Sequence, residues 1–246
     1  MRRFAYIPQP DGPHARLGVA WFIAACTACA IGTIAVAALF AAVATVCAMQ
    51  TARTWSDGGR RTAPIPAGLA AAIVPVASLL GPIGFGIGLG ASVLLVLAAA
   101  PMTRSNPLIG LRAVLMPALA AGSIVIIGRT DMGALVVLLL LVSAYETGDY
   151  LMGAEADSVF EGPLSGMAAV LVVTFAEAVL QLGPFETRAA WVFGALVATL
   201  APLGAPLGSA LVPSASVAGP ALRRLDAWFL AAPVWALLLV NYLSRI

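Results

Sequence analysis

The chain has 246 residues, 61% of them hydrophobic and only 10% charged, with a mean hydropathy of +1.01. That usage excludes a water-soluble globular domain, and long apolar runs without period-2 alternation exclude an outer-membrane barrel. The expected fold class is all-α, a polytopic bundle of membrane helices. All 13 basic residues are arginine, which excludes Schiff-base chemistry and any phosphate site built on lysine, and nothing in the pattern points to nucleic acid.

Residues 1–16 form a polar N-terminal tail, followed by membrane helices that divide into an N-terminal set (17–127) and a C-terminal set (128–246). Residues 17–49 carry no charge. As one helix they would be about 50 Å long against a hydrocarbon core of about 30 Å, so a split near Gly32 is expected, giving spans at roughly 17–31 and 33–49. The apolar stretch 65–100 breaks at Gly81-Pro82, because proline cannot continue a helix without losing a hydrogen bond. Within it, Gly84, Gly86, Gly88 and Gly90 lack the preceding strand of a nucleotide loop and are expected to serve close helix packing. Further spans follow at about 107–127, 132–145, 163–182, 189–211 and 225–243, making nine. The three cysteines, Cys26, Cys29 and Cys47, lie inside apolar runs and are expected to behave as small hydrophobes.

Arginine placement orients this topology, since short cytoplasmic loops hold the excess of positive charge. With the N-terminus in the cytoplasm of an inner-membrane protein, that face collects Arg2, Arg3, Arg16, Arg53, Arg60, Arg61, Arg104, Arg112, Arg223 and Arg224. The opposite face keeps Arg129, Arg188 and Arg245. A cytoplasmic loop at about 146–162 then holds Glu146, Asp149, Glu155, Asp157 and Glu161, five of the eleven acidic residues.

Ionisable groups within or at the edge of a span are costly and therefore candidates for function. Asp226 follows Arg223 and Arg224 at the mouth of the last span; it is either half of an interfacial anchor or a site residue. Glu146 and Asp149 could help to hold magnesium over a phosphate or could be a solvated turn. Thr174, Glu177 and Gln181, at i, i+3 and i+7, form one polar stripe on the seventh span, suited to a solute path or to interhelical hydrogen bonding.

Taken in order, three segments resemble the phosphatidate cytidylyltransferase family, which makes CDP-diacylglycerol from CTP and phosphatidate. They are ETGDYLMG at 146–153, FEGPLSG at 160–166 and LRRLDAWFLAAPV at 222–234. The resemblance implies phosphate binding by Arg224 and magnesium ligation by Asp226, with Glu146 and Asp149 as the earlier acids. It also draws Arg223, Tyr150, Glu161 and Ser209 into the substrate site, with CTP and membrane phospholipid as ligands.

This sequence departs from the family pattern at important places. Arg223 stands where the family keeps the first aspartate of its Asp-Arg-x-Asp-Ser, and Ala227 stands at its serine. The stretch Gly204-Ala205-Pro206-Leu207-Gly208-Ser209 replaces a segment with two acids. An arginine at a metal-ligating position inverts the local charge, so the catalytic site is expected to be eroded while guanidinium recognition of a lipid phosphate survives. An active magnesium-dependent nucleotidyltransferase using Glu146, Asp149 and Asp226, and a small-solute transporter or membrane scaffold centred on Glu177, stay open as alternatives. So does assembly as a homodimer or with a membrane partner protein.

Overall fold

A computed structural model describes residues 14–154, 156–181, 183–214 and 219–244, with side chains from Gly18 onward. Arg2, Arg3, Glu155, Leu182 and Arg245, and the side chain of Arg16, lie outside the described residues. The described chain is helical: α1 (His14–Ile31), α2 (Thr33–Asp57), α3 (Pro64–Ala77), α4 (Pro82–Thr103), α5 (Pro107–Thr130), α6 (Met132–Gly153), α7 (Glu161–Leu180), α8 (Thr187–Leu211), α9 (Pro220–Leu225) and α10 (Trp228–Leu243). Seven segments are long and apolar enough to cross a membrane, the last being Pro220–Leu243; Gly18–Ile31 and Pro64–Leu80 are shorter apolar helices. This is a multi-pass membrane protein.

Both expected breaks occur where they were placed. Gly32 has φ 124° and Gly81 has φ 86°, values that side-chain-bearing residues rarely adopt, and Pro82 opens α4 with its fixed φ. The expectation of a loop over 146–162 is corrected: α6 continues to Gly153 and leaves only residues 154–160 as the connection. The physical reason is local. Nothing in Tyr145–Met152 breaks a helix strongly, and the Thr147 hydroxyl donates a hydrogen bond to the Ser143 carbonyl at 2.7 Å, so charge begins long before helix ends. The polar stripe on α7 is also shorter than expected. Thr174 and Glu177 are buried, but the helix stops at Leu180 and Gln181 is exposed in a left-handed cap with φ 51°.

Lipid tails are as apolar as leucine, so close packing rather than water exclusion holds such helices together. The central element is α5, whose run from Ala113 to Ile127 is almost wholly buried against α2, α3, α4 and α10. Gly84 and Gly88 place α4 against Ala77 and Val74 of α3, whereas Gly86 and Gly90 face open space, so only one i, i+4 pair of the four glycines does the packing. Cys29 and Cys47 are buried and Cys26 half-buried, all as free thiols. Ile31, Ile34, Ile83, Leu94 and Leu237 point outward to form a lipid-facing belt.

Long-range hydrogen bonds define the two ends of the bundle. At one end Trp55 Nε1 donates to the Leu211 carbonyl at 2.9 Å, the Arg112 guanidinium donates to the Ala210 carbonyl, and Ala221 N donates to Gln50 Oε1 at 3.2 Å. At the other, Thr33 meets the Gly128 carbonyl, Arg129 meets the Leu79 carbonyl, and Tyr242 meets the Pro184 carbonyl. Among the described residues, Arg53, Arg60, Arg61, Arg104, Arg112, Arg223 and Arg224 belong to the first end, while Arg129 and Arg188 belong to the second.

Candidate functional site

The last turns of α6 and the helix pair α9–α10 meet at the arginine-rich end. Glu146 and Asp149 are three apart on α6 and so share one face. Arg224, on the last turn of α9, points its guanidinium at Glu146, with Nη1 3.5 Å from Oε2. The ion pair joins residues 78 positions apart in the sequence, with 24% and 19% of the two side chains accessible, so it is sheltered rather than a surface pair.

Arg223 turns the other way. Its Nη2 donates to Ser209 Oγ at 3.2 Å, and its Nη1 lies 3.4 Å from both the Ala205 carbonyl and Asp226 Oδ2. The guanidinium therefore bridges α8 to Asp226. Asp226 is buried at the break between α9 and α10, and its Oδ1 accepts from Ala227 N at 2.8 Å. Glu146 lies within the electrostatic reach of Arg224, Asp226 and Asp149 together, which makes the three acids and two arginines one charge cluster.

Glycines let these elements approach. The Asp149 carboxylate sits where a Cβ at Gly162 would project, so the start of α7 is shaped around that acid. Gly204 faces the Asp226 carbonyl so closely that any Cβ there would overlap it, and Gly208 touches the Asp226 side chain. Backbone cannot yield as a flexible side chain can. Gly204→Ala is therefore expected to cost about 1–3 kcal/mol in detergent unfolding, against a near-neutral Gly86→Ala on the open face of α4.

The cluster thus gathers Glu146, Asp149, Ser209, Arg223, Arg224 and Asp226. Two other expected site residues stand aside. Glu161 is exposed, and its Oε1 accepts from Ser158 N at 3.1 Å in the connection before α7. Tyr150 is half-buried on α6, one residue beyond Asp149. Three contributors from the N-terminal half escaped sequence reasoning. Gly18 of α1 packs against the Arg224 guanidinium, Gln50 of α2 accepts from Ala221 N in the first turn of α9, and Trp55 of α2 holds the Leu211 carbonyl at the end of α8. Gln50 did carry a signal, being a lone amide at the end of an uncharged run; Gly18 carried none.

The donor set does not suit magnesium. Two of the three acids are paired with arginine, and among the described residues no group of three or more His, Cys, Asp or Glu side chains is arranged to hold a metal ion. Magnesium requires near-octahedral oxygen ligation, and a guanidinium in contact with one carboxylate competes with it for that oxygen. Glu146 Oε1 is buried without a hydrogen-bond partner, while its other oxygen faces Arg224. What the arrangement offers chemically is a guanidinium 3.5 Å from Glu146 at the arginine-rich end, a group suited to recognising an anion such as phosphate. No protein-family model matches the sequence, and a search of curated proteins gives no significant match.

Proposed function

We propose that this is an inner-membrane protein of nine spans, N-terminus in the cytoplasm, with a cytidylyltransferase-like arrangement in its C-terminal half and an eroded catalytic site. It binds the phosphate of an anionic phospholipid, or of a lipid-pathway partner, at the cluster of Glu146, Ser209, Arg223, Arg224 and Asp226. The observation that carries this reading is the position of Arg223, whose guanidinium bonds Ser209, Ala205 and Asp226 at the place where the resemblance expects a metal-ligating acid. A built-in cation there holds Asp226 and α8 together, and the Arg224 guanidinium beside Glu146 is the group that recognises the phosphate.

The test uses the purified full chain in vesicles of phosphatidylcholine with 10% phosphatidate. Lipid retained through delipidation is counted for the wild type and for Arg224→Gln. A charge-assisted hydrogen bond is worth about 1.5–3 kcal/mol, so the variant is expected to hold phosphatidate roughly ten- to a hundredfold less tightly, with phosphatidylcholine unaffected. Equal retention by both proteins overturns the reading.

One observation favours an active enzyme instead: the orphaned Glu146 Oε1 sits within the electrostatic reach of Asp149 and Asp226. In that case labelled CTP and magnesium added to the same vesicles yield CDP-diacylglycerol, and Asp226→Asn abolishes it. A transport or scaffold role draws on Glu177, which is 2% exposed with neither carboxylate oxygen hydrogen-bonded. It requires function to fail in Glu177→Gln while Glu146 and Asp226 variants leave it intact.

A further inference from the structure

Away from the charge cluster, at the same end of the bundle, the connection after α2 and the connection between α4 and α5 close around an open cleft of about 520 Å³. Its walls include Arg60, Arg61, Arg104, Asn106 and Leu108. We infer that this cleft binds the phosphate headgroup of an anionic phospholipid.

The cleft is built rather than accidental. Asn106 N donates to the Arg61 carbonyl at 2.9 Å, which locks the two connections together. Arg104 holds φ 51° as the left-handed cap of α4, and so turns the chain beside Arg60 and Arg61. The Asn106 side chain accepts from Leu108 N at 2.9 Å and fixes the start of α5, whose positive dipole end adds to the three arginines. The preference for positive charge on one side of a membrane accounts for arginines at this end, but it does not require three of them to share one cleft.

Nor is the charge neutralised from within. Among the described residues none of the three arginines has an acidic partner within 4.0 Å, although Asp57 stands three positions before Arg60. Three neighbouring guanidiniums without a counter-ion repel one another, and an anion entering the cleft relieves that repulsion. The anion's source follows from what flanks the cleft. Leu108, 73% exposed, lines it, and Met102, 86% exposed, stands on the last turn of α4. Apolar side chains beside a basic cleft at a helix end suit a headgroup with its acyl chains running along α4 and α5, whereas a free phosphate gains nothing from them.

The experiment is native mass spectrometry of the full chain released from micelles carrying phosphatidylglycerol or phosphatidylcholine, read as the apparent Kd of each lipid adduct. An arginine near an anionic lipid contributes about a fivefold gain in affinity, so Arg60→Gln/Arg61→Gln/Arg104→Gln is expected to weaken phosphatidylglycerol binding about a hundredfold. Arg60→Lys/Arg61→Lys/Arg104→Lys, which keeps the charge, should retain most of it. The single variants Arg61→Gln and Arg53→Gln separate a cleft from general surface charge. Arg53 is exposed at the same end without lining the cleft, and its replacement should weaken binding clearly less than that of Arg61. Equal losses from the two single variants, undiminished binding in the triple glutamine variant, or displacement of the lipid by millimolar inorganic phosphate would each overturn the inference. Because the cleft shares no residue with the cluster around Arg224, failure here leaves the phosphatidate test with Arg224→Gln undisturbed.

Discussion

Asp226→Ala is expected to destabilise the folded protein by about 3–5 kcal/mol, measured by reversible unfolding in mixed micelles. The loss comes from what remains rather than from what is removed. Arg223 is 10% accessible at its side chain and would keep its charge against Ser209 and the Ala205 carbonyl of α8 with the Asp226 carboxylate gone. Ala227 N loses its acceptor at the same time. Replacing both partners, as in Arg223→Met/Asp226→Leu, removes charge and counter-charge together and is expected to recover most of the loss, because apolar replacement of a buried pair is often near neutral. Asp226→Asn falls between the two, since its amide oxygen still accepts from Ala227 N. If the single and double variants unfold together, the Arg223–Asp226 contact contributes nothing to the fold.

The second large effect lies deeper in the bundle, at the middle of α10. Trp235→Ala is expected to cost about 3–5 kcal/mol in the same unfolding measurement. Trp235 is fully buried, with ring centroids 4.8 Å from Phe193 and 5.3 Å from Phe185, and its Nε1 donates to the Phe193 carbonyl at 3.2 Å. It therefore joins α10 to α8 and to the segment before α8. Trp235→Phe keeps an aromatic ring in the gap and should lose less. The location makes the experiment informative: Trp235 packs on Phe185 and Phe193 rather than on the charge cluster, so lipid retention at the arginine-rich end should survive a stability loss as large as that of Asp226→Ala.

The sequence disclosed the helix breaks because their cause is local. A glycine with positive φ at position 32, and a glycine–proline pair at 81 and 82, interrupt a helix whatever surrounds them. The end of α6 was misjudged for the opposite reason. Charge at Glu146 ends an apolar run, but a helix needs a breaker to stop, and none acts before Gly153. Of the charge cluster, the acids and arginines were visible as costly residues at span edges, and their order suggested that they belong together. Their pairing was not visible. That Arg224 faces Glu146 while Arg223 faces Asp226 and Ser209 depends on how α9 is rotated, and Gln50 and Gly204 set that rotation through contacts that no local pattern records.

The surroundings of Arg224 come from elements far before it in the chain, Gly18 on α1 and Glu146 on α6, and Gln50 on α2 receives Ala221 of α9. Synthesis proceeds in the other direction of dependence: α1, α2 and α6 enter the membrane before the helix that completes their contacts exists. Until α9 arrives, Glu146 and Gln50 stand at the membrane edge without those partners, and a chain halted before residue 220 keeps them so. The contacts that close the arginine-rich end therefore form only after α9 has been made.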